Sequence, residues 1–255
     1  MTSTAFITGA SSGFGEGLAR RYAARGYTVG LAARREDRLQ ALAGEIRSAG
    51  GRAVVCPCDV GDRGQVLAAV EHVRREAGEV DLLIANAGVD WAVYPEEFDG
   101  ERVETMVRVN FLGAVYATEA VLPSMLERDR GQIVAMGSLA GYGGLPFTAG
   151  YSASKAALDK FFESLRIDLR HTGVDVTVLT PGYVKTPITE VNPYRMPFLM
   201  ELDDALDRME RAIDRKGRRV GFPWPLWIQA FLGQVFPRWL YDRVAGAQDR
   251  DKRPH

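Results

Sequence analysis

The stretch TAFITGASSGFGEGLAR, residues 4–20, turns from a short apolar run into a helical pattern through three glycines, Gly9, Gly13 and Gly15. Gly9 permits a tight turn, Gly13 lets the backbone come close to a pyrophosphate, and Gly15 lets the new helix pack closely. The helix start supplies unpaired N–H groups and positive potential where phosphates would sit. A tight strand-to-helix turn would explain a lone glycine trio. The strand–turn–helix setting points instead to nucleotide binding, and the spacing Gly-x3-Gly-x-Gly is wider than the common dinucleotide fingerprint.

Outward from this start, apolar strands alternate with helical patterns. Strands are expected at 4–9, 28–33, 53–59, 81–88, 132–138 and 174–182, with a seventh at 218–223. Helices are expected at about 13–25, 36–49, 62–77, 99–127 and 151–171. Nearly continuous apolar strands imply burial on both faces, hence a parallel sheet with helical crossovers. The expected architecture is one doubly wound α/β domain over 1–223, with a substrate lid at about 187–216, an aromatic-rich helical extension at 224–246 and a polar tail at 247–255.

Composition supports a globular chain: 255 residues, 46% apolar and 25% charged, with a net charge of −1. That balance gives no general attraction to nucleic acid or acidic lipid. The two cysteines, Cys56 and Cys58, lie too close on a strand for an unstrained bridge. They are expected as buried thiols; without partner cysteines, a CxC metal or redox site has little support, and no metal is expected. The reading is a reducing, cytoplasmic setting. The N-terminus lacks the pattern of a signal peptide, and no uncharged apolar stretch is long enough to span a bilayer.

The second strand ends in AARRED. An acidic residue there would hold both ribose hydroxyls of NAD, whereas Arg34 and Arg35 suit an adenosine 2′-phosphate and so NADP(H). Two solvated arginines opening a helix are the alternative. Asp59 can accept from an adenine amino group or cap the helix starting near Asp62. At the other strand ends lie Asn86-Ala87-Gly88, Ser138 and Pro181-Gly182. Asn110 sits within a long helix, where asparagine is a poor helix former. In GYSASKAALDKFF, residues 150–162, Tyr151 and Lys155 stand one helical turn apart. A lysine ammonium, with a nicotinamide cation, would lower the phenol pKa of the tyrosine.

TGASSGFG, NAG, Ser138, YSASK and PGYVKT, in this order, resemble the short-chain dehydrogenase/reductase family, of its NADP(H)-preferring type. The resemblance implies a doubly wound Rossmann fold and hydride transfer between a nicotinamide and a carbonyl or carbinol carbon. It assigns acid/base work to Tyr151, ribose binding and pKa lowering to Lys155, carbonyl orientation to Ser138 and a relay water to Asn110. Its cofactor set falls on Gly9, Ser11, Ser12, Gly13, Phe14, Gly15, Arg34, Arg35, Asp59, Val60, Asn86, Ala87, Gly88, Tyr151, Lys155, Pro181, Gly182, Val184 and Thr186. Departures are mild: Ala85 precedes NAG, and Gly137 precedes Ser138, which leaves room at the site floor.

An apolar ketone or aldehyde is favoured over a sugar, on Tyr142, Leu145, Pro146, Phe147, Tyr194, Met196, Phe198, Leu199 and Met200. The extension carries Trp224, Trp227, Phe231, Phe236, Trp239, Leu240 and Tyr241. It is expected to pack over the substrate entrance or against a second subunit of a homodimer or homotetramer. Shallow membrane contact is the less favoured reading. A non-enzymatic nucleotide sensor would need a lost catalytic group, and an epimerase or dehydratase would need more chain.

Overall fold

The computed structural model describes residues 2–190 and 196–246. Its elements run β1 (Thr4–Thr8), α1 (Gly13–Ala24), β2 (Thr28–Ala33), α2 (Glu36–Ser48), β3 (Arg52–Pro57), α3 (Arg63–Ala77) and β4 (Val80–Ala85). After them come α4 (Gly100–Val107), α5 (Gly113–Glu127), β5 (Gly131–Met136), α6 (Ala149–Asp168), β6 (Val174–Pro181), α7 (Pro187–Glu190), α8 (Leu202–Asp214), β7 (Arg219–Phe222), α9 (Trp224–Val235) and α10 (Arg238–Gly246). The seven strands form one parallel sheet in the order β3-β2-β1-β4-β5-β6-β7.

Strand alternation divides the core into two layers. Ala5, Ile7, Leu82 and Ile84 face α1, α2 and α8, where Leu18, Tyr22, Leu39 and Met209 pack. Phe6 and Leu83 face the other side, among Val66, Val73, Met125 and Phe162 of α3, α5 and α6. Both thiols are free and buried in this second layer, and burial pushes them up, to about 12 for Cys56 and about 11 for Cys58. The run Gly100–Glu127 is long and apolar enough by composition to cross a membrane, but Met106, Ala117, Val121 and Met125 are buried within the protein.

Strand order reverses between β1 and β4, where Ile7 pairs with Ile84. The loops leaving these neighbouring strands diverge to opposite faces and open a crevice at their C-terminal ends. The residues singled out from sequence gather there.

The second strand matches its expected span, whereas the other six end one to three residues earlier than expected, and NAG, Gly137-Ser138 and Gly182 leave the ladder to line the crevice. The helix expected over 99–127 is real but changes pitch at Arg108–Leu112, a π-helical turn centred on Asn110. Such turns often mark functional sites.

Within the expected lid, α8 is fixed to α1. Leu206 lies against Gly17, and Arg21 reaches Asp207 at 2.5 Å and Glu210 at 2.6 Å. Just before α8, Met200 bridges to Val184, and Tyr194 lies outside the described residues.

Candidate active site

A cavity of about 440 Å³ runs from the glycine loop to Ser138, Tyr151 and Lys155. At its first end Gly9 adopts φ +68°, and a Cβ there would stand 2.8 Å from Ala87 Cα. A Cβ on Gly15 would stand 2.3 Å from Gly9 O, so loop and helix touch backbone to backbone. Ser12 caps α1 by position but its side chain makes no capping bond, which leaves the first N–H groups of the helix facing the cavity. This is a cradle for phosphates.

Arg34 and Arg35 line the same end, and they differ. Arg35 donates to Ser11 Oγ at 2.8 Å and to Ser12 Oγ at 2.9 Å, fastening β2 to the glycine loop. Arg34 is exposed and makes no hydrogen bond or ion pair among the described residues, so its guanidinium is available. The capping alternative for Asp59 belongs to Asp62, whose side chain accepts from Gln65 N at 3.0 Å. Asp59 instead takes the N–H of Gly61 through Oδ1 at 2.9 Å, beside Val60 on the cavity wall.

The middle of the cavity is held by a residue the sequence reading missed. Thr8 Oγ1, buried at the end of β1, accepts from the backbone N–H groups of both Asn86 and Ala87 at 3.0 Å. Asn86 returns a bond from Nδ2 to Thr8 O at 2.9 Å, so the NAG turn is stitched to the glycine turn. Gly88 passes between Asn110 and Lys155, and a Cβ there would lie 3.4 Å from Asn110 Oδ1 and 3.5 Å from Lys155 Nζ.

At the far end, Lys155 is buried and donates to Met136 O at 2.7 Å, which fixes its ammonium against the end of β5. Its Nζ lies 5.8 Å from the centre of the Tyr151 ring. Burial brings the Lys155 pKa down to about 8, with the charge of Asp90 opposing. The Tyr151 phenol is pushed up to about 12, chiefly by burial and then by Asp90, while its hydrogen bond with Ser138 works the other way. The net shift from the protein's own groups is therefore upward, where sequence reasoning about Lys155 gave a lowering. Ser138 Oγ also accepts from Ala140 N at 3.1 Å, which sets the turn that follows it.

Both amide protons of Asn110 are used, on Val89 O at 2.9 Å and Ser154 Oγ at 3.0 Å, and its Oδ1 accepts from Val89 N at 2.7 Å. A π-helical turn that aims a buried amide at a strand-end backbone explains why a poor helix former stands there.

The remaining wall is Pro181, Gly182, Val184 and Thr186, with Ile188 and Thr189 on α7. Thr189 Oγ1 donates to Val184 O at 2.6 Å, and Val184 bridges to Met200. Among the described residues, the apolar candidates expected around the substrate do not line this cavity. Tyr142 is buried elsewhere, Phe147 packs on Tyr94, and Phe198 and Leu199 are exposed. A Cβ on Gly137 would sit 3.0 Å from Leu179 O and Thr180 Cγ2, so the room it leaves goes to β6 rather than to the site floor.

The model of the family described as short chain dehydrogenase matches residues 3–195. The chain belongs to this family. It is an NAD(P)-dependent oxidoreductase acting on CH–OH and C=O groups. It is 45% identical to an uncharacterized oxidoreductase of Myxococcus xanthus over 95% of this chain and 96% of that one. Two other curated relatives are longer, and the chain spans 63% and 60% of their lengths. Among solved structures, a short chain dehydrogenase/reductase from Burkholderia phymatum in complex with NAD superposes with TM-score 0.85 at 25% identity, covering 100% of this chain and 98% of that one. An alcohol dehydrogenase from Thermococcus sibiricus complexed with 5-hydroxy-NADP gives TM-score 0.78 at 27% identity, over 87% and 96% of the two chains.

In this short-chain dehydrogenase the added helices α9 and α10 clasp the segment after Ser138. Trp227 covers Gly221 and donates from Nε1 to Tyr142 Oη at 3.0 Å, Gln234 reaches Tyr142 O at 3.1 Å, and Tyr241 Oη reaches Gly144 O at 2.8 Å. Arg219, paired with Asp159 at 2.8 Å, lies 4.1 Å above the Tyr142 ring. No described residue of 224–246 lines the cavity, so the extension flanks the site without covering it. Its other face leaves Trp224, Val235 and Trp239 about two-thirds exposed, at 66%, 69% and 70%.

Proposed function

We propose that this dehydrogenase is an NADPH-dependent reductase of ketones or aldehydes with an apolar body, the reverse oxidation being open to the same site. The observation that carries the reading is a single cavity with an available Arg34 at its phosphate end and Ser138, Tyr151 and Lys155 at its other end. Phosphates would lie on the N-terminus of α1, a 2′-phosphate against Arg34, and the nicotinamide ribose against Lys155. The bound nicotinamide supplies the hydride.

The chain's own groups do the rest. Ser138 donates to the carbonyl oxygen and holds it beside Tyr151. Tyr151, protonated at neutral pH, gives its proton as the alkoxide develops. Lys155 adds fixed positive charge at the same place without reorganisation. The relay water assigned to Asn110 would be met by the open lone pair of Oδ1 or the main-chain carbonyl, since both amide protons are engaged.

The apolar face of α9 and α10 suits a second copy in a homodimer or homotetramer, with shallow membrane contact as the competing outcome. Two buried thiols fit a cytoplasmic setting. A carbonyl panel assayed with NADPH and with NADH tests the reading. Turnover that prefers NADPH supports it, and a preference for NADH refutes the role given to Arg34.

A further inference from the structure

One carboxylate in the cavity has no role in the reaction as described. Asp90 lines the site with Ser138, Tyr151 and Lys155, yet its side chain makes no hydrogen bond or ion pair among the described residues. No ion pair joins it to Lys155, whose ammonium is bonded to Met136 O.

The position of Asp90 is set by clamps on both sides. Val89, immediately before it, is gripped at N and O by Asn110, and Val93 N donates to Phe147 O at 2.8 Å. Residues 90–92 therefore form a short strap whose backbone is fixed before any ligand arrives. Burial pushes the Asp90 carboxyl up, with Lys155 opposing. The titratable groups that feel its charge are Tyr151 and Lys155 on α6 and Tyr183 beyond β6. A carboxylate drawn from water without a hydrogen-bond donor is costly, and a ligand that brings the donor recovers that cost.

We infer that Asp90 is a specificity-determining residue that accepts a hydrogen bond from a hydroxyl or ammonium group carried next to the reacting carbonyl. The substrate class is then α-hydroxy or α-amino ketones and aldehydes, with Trp91 and Ile188 of the same cavity as walls for the apolar body. Keto acids are disfavoured, since a second carboxylate would face the first. This inference rests on the carbonyl-reductase reading and names the substrates within it.

The test uses the full chain with NADPH and four aryl ketones of one skeleton: the methyl ketone, its α-hydroxy and α-amino forms, and the α-keto acid. In the wild type, kcat/KM for the hydroxy and amino forms should exceed that for the plain ketone by at least about tenfold. Asp90→Ala should abolish both preferences. The isosteric Asp90→Asn should lose the amino preference and keep part of the hydroxyl one, and both variants should improve on the keto acid.

Calorimetry of the matching amino alcohol and plain alcohol on the NADP-saturated enzyme reads binding apart from turnover. Turnover with the same substrate ratios in wild type and Asp90→Ala overturns the inference. If no ketone is reduced yet the amino alcohol binds through Asp90, the carbonyl reading falls and the assignment of Asp90 stands. Absence of both turnover and Asp90-dependent binding overturns both.

Discussion

The glycine-loop half of the molecule and its C-terminal extension are built on opposite terms. Around the loop, polar groups from separate strand ends tie the walls together: Thr8 with NAG, Arg35 with Ser11 and Ser12, Asn110 with Val89. The crevice between β1 and β4 forces these meetings, so the site follows from topology. The extension has no such frame. It holds on by a few side chains around Tyr142 and leaves an aromatic face outward. The active centre is thus fixed from within the sheet, and the extension braces one edge of it.

The strongest way to break this contrast is at the centre. Tyr151→Phe should lower carbonyl turnover by at least roughly 100-fold while NADPH affinity changes little, because only proton transfer is removed. Turnover and cofactor titration on one preparation would show this, and unchanged turnover would take Tyr151 out of the mechanism.

At the other end of the cavity, Arg34→Ala should weaken NADPH binding by about one to two orders of magnitude and leave NADH nearly unchanged. A lost charge-assisted contact is worth about 1.5–3 kcal/mol. Equal weakening of both cofactors in fluorescence titrations would make Arg34 structural.

A smaller effect comes from pH. With Lys155 brought down to about 8 and Tyr151 up at about 12, the rise of pH through 8 removes the ammonium before the phenol loses its proton. Reduction should fall by about tenfold per unit on that alkaline limb. Asp90 holds the Lys155 proton on, so Asp90→Asn should move the limb to lower pH. A profile flat to pH 10 would show that Lys155 keeps its charge by other means.

The smallest expected change tests the brace. Tyr142→Phe removes the acceptor of Trp227 Nε1 and should cost about 1 kcal/mol of stability in denaturant melts. A larger loss, or a lost oligomer in light scattering, would make the extension more than a brace.

The same contrast explains what the sequence disclosed. The seven strands and the lining of the cavity were legible because apolar periodicity and the spacing of Gly9, NAG, Ser138 and YSASK are local patterns. Thr8, Ser154 and Asp90 were passed over because each acquires meaning only across strands or helices far apart in the chain. A threonine just before Gly9, and an acid two residues after NAG, were the available signals. The aromatics of 224–246 were visible as composition, but only the fold shows that Trp227 and Tyr241 turn inward while Trp224 and Trp239 turn out.

The central claim is hydride delivery to a carbonyl that Tyr151 protonates. The direct measurement incubates the wild-type chain with a turned-over ketone and NADPH deuterated at the transferring face of nicotinamide C4, followed by mass spectrometry of the alcohol. The account predicts one deuterium on the carbinol carbon in the wild type and almost no labelled product with Tyr151→Phe. Alcohol formed without label, or labelled equally fast by Tyr151→Phe, would contradict it.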